Sequence, residues 1–504
     1  MFGIDRRNDG LGRIERPGHA PRSGDGPSPG CGPRPGGHGR RNGRSRLGIV
    51  GHRTGRAFVA LGLALLAVLG TGAGTGAMAQ EPPRRITYDE AIRIALRQNL
   101  AVQRAENAVA LRSAEVTQRK AQFLPDLRLS TQGNTSVGRT FSEQEGGIVN
   151  ETTRTLNAGI SSSLTLFDGG RNIANLKSAQ LQEEASELEL ARTRQTAVMT
   201  VAQNFLSLVE GREQVRVRRE ALAAQEAELE QIRAMVDAGT RSIADLYQQQ
   251  ANVAAARAAL VEAERAAELA ELDLISTLRL DPAGDYEFVA PDIDRIARDT
   301  GDLDLAALID RALERRADLD ALEAREAAAE QGVKAAAASK WPTITLNAGY
   351  NTGASSRSSL GLFDQFDQRR GGSVGIGISI PLFDRLQTKT AEEQARIQAE
   401  NARLDLEERR QQIALEVRSA WLGYRAAAEQ LQASEARLEA AERALEATAE
   451  RYRVGAATLV ELTQARAAQV EAASQLVRAR HALALQRTLI DYYVGDLEAT
   501  ASAE

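Results

Sequence analysis

Beyond residue 79 the chain carries one histidine, His481, and no cysteine; Cys31 is the single cysteine of the whole sequence. No His/Cys metal cluster and no Ser–His–Asp set can be built from that stock. The pattern G-x-x-x-x-G-K-[ST] is absent, which excludes nucleotide hydrolysis by a phosphate-cradling loop. Asp and Glu are abundant, yet they fall on helical faces beside Arg at i, i+4, the spacing of solvated ion pairs. These residues argue against an enzyme and call for no cofactor and no metal. With side-chain chemistry so sparse, function has to reside in the shape of the elements.

The junction Leu166-Phe167-Asp168-Gly169-Gly170-Arg171 is where that shape is set. Before it, Leu156, Ala158, Ile160, Ser162, Leu164 and Leu166 alternate with Asn157, Gly159, Ser161, Ser163 and Thr165, the period of a strand with one apolar face. After it, about 65 residues lack Pro and nearly lack Gly, and predict one long helix. Asp168 and the two glycines form the turn. The junction returns as Leu382-Phe383-Asp384-Arg385, Asp384 standing 216 positions after Asp168.

The helix after Phe167 carries a seven-residue stripe of Val201, Leu208, Val215, Leu222, Leu229 and Val236. Its counterpart is Val417, Tyr424, Leu431, Leu438, Leu445 and Tyr452, each shifted by the same offset. Gly455 answers Gly239, and Leu462 answers Leu246. One constant offset through strand, helix, turn and helix predicts an internal duplication. The expected division is a basic leader and signal peptide at 1–79, a first repeat at 80–280, a linker at 281–302, a second repeat at 303–495 and a tail at 496–504. Each repeat is expected to hold a helix, a hairpin (126–167 and 343–383), a long helix and a further helix. Thr87 with Glu90 predicts a capping box opening a helix to about Gln122. Asp304 is expected to cap a helix running to Lys340. Polar loops are expected at 141–151 and 355–371.

The leader is basic and rich in Gly and Pro. It is followed by the apolar run from Ala57 to Leu69 and by Ala77-Met78-Ala79, the pattern of a secretory signal peptide. The run is short for an uncleaved membrane anchor. Removing 1–79 takes away a net charge of +8 and leaves the rest near −13, which argues against nucleic acid as a partner.

Helices of about 67 residues would be ~100 Å long, deeper than any globular core. Seven-residue apolar spacing marks helices packed side by side as coiled coils. Each half supplies one hairpin, which is marginal alone in water. Four strands cannot close a barrel in lipid, where the small ones have about eight. Several chains sharing one barrel resolves this, with eight strands from two chains or twelve from three. Aromatics at strand ends, among them Phe123, Phe167, Trp341 and Phe383, fit interfacial girdles. The alternative is a soluble, non-conducting coiled-coil scaffold or adaptor of the periplasm.

Ile380-Pro381-Leu382-Phe383-Asp384, Leu166-Phe167-Asp168-Gly169-Gly170, Arg451-Tyr452-Arg453-Val454-Gly455 and the opening Ala91-Ile92-Arg93-Ile94-Ala95-Leu96 resemble motifs of the TolC-type outer-membrane efflux proteins. The resemblance covers essentially all of 86–495. It implies a mainly α chain with membrane β: a homotrimer with a shared twelve-stranded outer-membrane β-barrel above a periplasmic α-barrel. It implies a passive exit duct for efflux or type I secretion, partnered by a periplasmic adaptor and an inner-membrane transporter. The helix–helix turns would be the periplasmic tips that dock the adaptor, here Gly239, Thr240 and Arg241 with Gly455 and Ala456. Read physically, both glycines are helix C-caps. The resemblance makes an Asp245–Tyr452 hydrogen bond a candidate aperture latch. Ala457 stands where the family has an Arg. Glu461 matches an acidic ring inside the entrance; Gln464 occupies the second ring position.

Overall fold

The structure, a computed structural model, describes residues 84–142, 146–291 and 303–497. The expected leader and signal peptide, residues 292–302 of the expected linker and the tail from 498 onward lie outside the described residues.

The chain opens with β1 (Arg84–Thr87) and α1 (Tyr88–Gln98). Thr87 Oγ1 accepts the Glu90 N–H at 3.3 Å and starts that helix. The helix does not run unbroken to Gln122. Asn99 turns extended, and its Oδ1 accepts the N–H of Ala101 at 2.7 Å, so a second helix, α2 (Leu100–Ala121), begins there. Next come β2 (Arg128–Ser142) and β3 (Gly147–Phe167), the latter taking in residues 147–151 that had been expected in a loop. Asp168 then caps α3 (Arg171–Asp237): its carboxylate accepts the N–H of Gly170 at 3.1 Å and of Asn172 at 2.9 Å. After α3, a turn leads into α4 (Ile243–Leu278).

Where only a linker was expected, β4 (Tyr286–Val289) pairs parallel with β1. The pairing places Phe288 edge-on to Phe205 at 6.2 Å, while Tyr88 meets the same ring at 5.5 Å. Phe205, Val201, Leu208 and Leu274 are fully buried around it. Burying a side chain of that size contributes about 1.5–3 kcal/mol.

The second half starts with α5 (Leu305–Arg315) and α6 (Ala317–Ala337), so the helix expected to run from Asp304 to Lys340 is broken at Arg316. Then follow β5 (Thr343–Ser355), α7 (Leu362–Gln368) inside the expected 355–371 loop, and β6 (Gly371–Ser379). β6 stops short of Phe383; Pro381 has no N–H to give a ladder. The chain ends in α8 (Gln387–Arg453) and α9 (Leu459–Val494). Leu308, Ile413, Val417, Leu483 and Ile490 form the core shared by α5, α8 and α9. Small residues let α3 and α6 approach, with Ala185, Ala321 and Ala324 buried between them.

Arg316 is wholly buried at the α5–α6 break. It donates to Asp318 at 2.9 and 2.8 Å and to Glu416 at 2.5 Å. Arg409 reaches Asp318 and Glu416 at 2.8 and 3.0 Å, and Arg192 of α3 approaches Asp318 at 3.8 Å. Burial pushes the Asp318 carboxyl upward, but the Arg316 hydrogen bonds and charge, with Arg409 and Arg192, hold it down at about 2. Three helices are thereby tied through one buried charge cluster.

The other four strands form an antiparallel sheet in the order β2-β3-β5-β6. The β3–β5 pairing, from Thr155↔Ser355 to Phe167↔Ile344, fuses the two hairpins. Among the described residues, the outer strands β2 and β6 each keep one edge unpaired.

Candidate functional site

The two faces of the sheet differ sharply in chemistry. Cross-strand pairs Leu129↔Ile160, Ile160↔Tyr350 and Leu346↔Ile376 put apolar side chains on one face. These are not buried: Leu129 is 79%, Val374 78% and Ile376 66% exposed. The pairs Arg128↔Ser161, Asn157↔Gly353 and Gly159↔Asn351 line the other face. There the glycines make room for the amides. A Cβ at Gly159 would lie 2.2 Å from Asn351 Oδ1, and one at Gly353 would lie 2.6 Å from Asn157 Oδ1. Both asparagines therefore lie flat across the opposite strand. Among the described strand residues of this polar face, the charged ones are Arg128 at one end and Glu151 at the other, the latter paired with Arg357 at 3.0 Å. No described helix is long and apolar enough to cross a membrane.

At the far ends of the long helices lie two turns. Gly239 has φ +74° and Gly455 φ +78°, the left-handed region that favours glycine. Gly239 N–H donates to Val236 O at 2.9 Å and Thr240 N–H to Met235 O at 2.8 Å. Gly455 N–H donates to Tyr452 O at 3.1 Å and Ala456 N–H to Arg451 O at 2.7 Å. Both are Schellman caps that satisfy the last carbonyls of α3 and α8. Ser242 then caps α4, and Thr458 caps α9.

Ile232, Tyr452, Ala457, Leu459 and Leu462 close into a small core between the two helix pairs. Arg241, in the first turn, lies over the Tyr452 ring with its guanidinium carbon 4.4 Å from the centroid. It also donates to Tyr452 O at 3.3 Å. Tyr452 is 5% exposed, and its hydroxyl makes no hydrogen bond. Burial pushes that phenol up; the Arg241 charge pulls it down, while Glu228 and Asp245 push it up. Asp245 thus stands near Tyr452, in the first turn of α4, but no hydrogen bond joins them. Further polar links run between the helix pairs. Asn252 donates to Thr463 at 3.2 Å, and Arg466 donates to Ala224 O at 3.2 Å while facing Glu228 at 3.6 Å.

Glu461 is held locally. Its N–H donates to Thr458 Oγ1 at 3.2 Å, the Thr458 hydroxyl donates back at 3.2 Å, and Arg451 lies 3.6 Å away. Arg241 was grouped with the docking turn from sequence; its stacking on Tyr452 was not legible, because the two residues lie 211 positions apart. His481 is buried with Nδ1 2.9 Å from Val477 O. Among the described residues no group of three His, Cys, Asp or Glu could hold a metal ion.

Comparison with known proteins gives this arrangement a relationship. The family described as outer membrane efflux protein matches residues 91–278 and 308–495. Protein CyaE of Bordetella pertussis is 27% identical over 313 residues, which cover 60% of this chain and 63% of that protein. The pyoverdine export outer membrane protein OpmQ of Pseudomonas aeruginosa is 32% identical over 207 residues, covering 41% of this chain and 42% of OpmQ. The chain thus spans about half the length of these relatives. In structure it is similar to CusC, with TM-score 0.71 and 19% identity, covering 81% of this chain and 92% of CusC. That likeness is one of fold. With both halves matched, the chain belongs to the outer membrane efflux protein family.

Proposed function

We propose that the chain is one protomer of a passive exit duct of the outer membrane. Three chains pool their strands in a twelve-stranded barrel, and α3, α4, α8 and α9 of each build an α-helical conduit beneath it. The observation that carries this reading is the sheet: four strands with two edges free among the described residues, an exposed apolar face and a polar opposite face. A soluble scaffold has no use for such a face, whereas lipid covers it and neighbouring chains pair its edges. The constant 216-residue offset between Asp168 and Asp384 supports descent of the two halves from one duplicated unit.

A periplasmic adaptor docks on the turns at Gly239, Thr240, Arg241, Gly455 and Ala456, and an inner-membrane transporter supplies energy and chooses the cargo. OpmQ exports pyoverdine, by its name; no Met-rich or His-rich stretch in this chain argues for metal cargo. The latch at the tip is the Arg241–Tyr452 clasp, with Asp245 beside it. It supplies from the first turn the cation that Ala457 does not. Three copies of Glu461 form an acidic ring at the entrance that favours cations.

Purification in detergent followed by mass measurement and planar-bilayer recording tests the reading. The expected result is a trimer that conducts ions. A monodisperse monomer in plain buffer overturns it. Glu461→Ala should lower cation preference; an unchanged preference removes the ring but not the duct.

A further inference from the structure

Resting on the duct reading for its orientation, we infer that the polar face carries an anion-binding site where the sheet meets the helices, built from Arg119, Arg128 and Arg171. An open cleft of about 900 Å³ lies there, between the end of α2, the start of α3 and the first residues of β2. The rest of its wall is amides and hydroxyls such as Asn175, Asn347 and Ser163, with Asp126 as the carboxylate of the lining.

The three guanidiniums are incompletely matched. Arg128 bridges Asp126 at 2.7 Å, and Arg119 reaches Glu115, outside the cleft, at 3.5 Å. Arg171 has no ion-pair partner among the described residues. Arg119 Nε is enclosed yet makes no hydrogen bond, a donor left without an acceptor. Arg171 is moreover the first residue of α3, where the helix dipole disfavours a cation. A carboxylate or phosphate in the cleft answers the unpaired charge of Arg171 at the start of its helix, and it meets Arg119 at the part of the guanidinium that stays exposed rather than at the enclosed Nε. It accepts charge-assisted hydrogen bonds in the forked geometry of guanidinium, and it neutralises the surplus charge.

The register decides where the anion comes from. Arg128↔Ser161 and Ser163↔Asn347 lie on the face opposite Leu129↔Ile160, so the cleft opens to the interior of the duct and not to lipid. The ligand class is a soluble polyanion, and the cleft is roomy enough for a polycarboxylate rather than a bare halide. This site would favour anionic groups on passing solutes in a chain whose remaining charge is negative.

Calorimetric titration of the full chain in detergent with citrate, and separately with inorganic phosphate, tests the site. Citrate should bind, and Arg171→Gln and Arg119→Gln should each weaken it at least about tenfold, the loss expected for one charge-assisted hydrogen bond. Asp126→Asn should tighten it; the amide oxygen still accepts the Ser163 N–H, now 2.6 Å away, while Arg128 is released. Misfolding cannot imitate a gain. A trimer that binds no citrate, or binds it equally after both arginine changes, overturns the site and leaves the duct intact. Uptake of phosphatidylglycerol without uptake of citrate also overturns it. Failure to form a trimer overturns the duct reading and the site together.

Discussion

The guanidinium carbon of Arg241 sits 4.4 Å from the centre of the Tyr452 ring, and the two residues come from different helix-pair turns. A cation over a ring in a half-buried setting contributes about 0.5–2 kcal/mol. With its hydrogen bond to Tyr452 O, the contact ties one pair to the other at the tip. If this clasp closes the proposed duct, Arg241→Ala should raise its open-to-closed ratio about five- to thirtyfold. Arg241→Lys should fall between, since lysine lacks the planar fork. Single-channel recording reads both; an unchanged open probability would place the closure elsewhere.

The charge cluster at the α5–α6 break predicts an acid-sensitive element. Asp318 is ordinarily near 3.8 and is held at about 2 in the fold. A depressed carboxylate contributes stability in full above its unfolded value and loses it as pH falls through the folded one. The groups facing it are Arg316, Arg409 and Arg192, with Glu416 sharing the arginines. Asp318→Asn should lower helix melting relative to the parent near pH 6, by about 1–3 kcal/mol. The gap should close between pH 3.8 and about 2. A gap that stays constant over that range would mean Asp318 contributes nothing through its charge.

The ends of α4 and α9 offer a paired test of backbone strain. Arg279 adopts φ +54° where Gly495, 216 positions later, adopts φ +89°. Left-handed backbone costs a residue with a Cβ roughly 1–2 kcal/mol. Arg279→Gly should recover about 1 kcal/mol, less what its hydrogen bond to Gln98 O at 3.3 Å returns. Gly495→Ala should destabilise by more than that, because the added carbon meets Arg315 O at 3.0 Å. Melting of the two variants should move in opposite directions.

Orientation is open to a simple probe. Protease added to intact cells should cut first in the segments 141–151 and 355–371. Cleavage at the Gly239 or Gly455 turns instead would invert the proposed orientation.

The long helices were legible in the sequence because nothing interrupts their heptads; α3 and α8 run 67 residues each. Asn99 was also legible in principle, being a good N-cap followed by a helical run, but the helical pattern on both sides masked it. Arg316 carried no such signal, since it makes no side-chain cap and its role depends on Asp318 and Glu416. The β1–β4 pair escaped notice because four-residue strands give too short a period, and their partners lie about 200 positions apart. The fusion of two hairpins into one sheet is non-local in the same way. At the tips, glycine announced the turns, whereas the clasp between Arg241 and Tyr452 depends on how two coiled pairs lean together.

The glycine-backed amides of Asn157 and Asn351 have a consequence for transit. Between the levels of Arg128 and Glu151, ten residues along β2 or about 34 Å of strand, the described strand residues of the polar face carry no charge, and Asn157 and Asn351 fill the room their glycine partners leave. In the proposed duct, the strands' own fixed charge on this face is then gathered at the two rims, like a sieve at each end of a plainer bore.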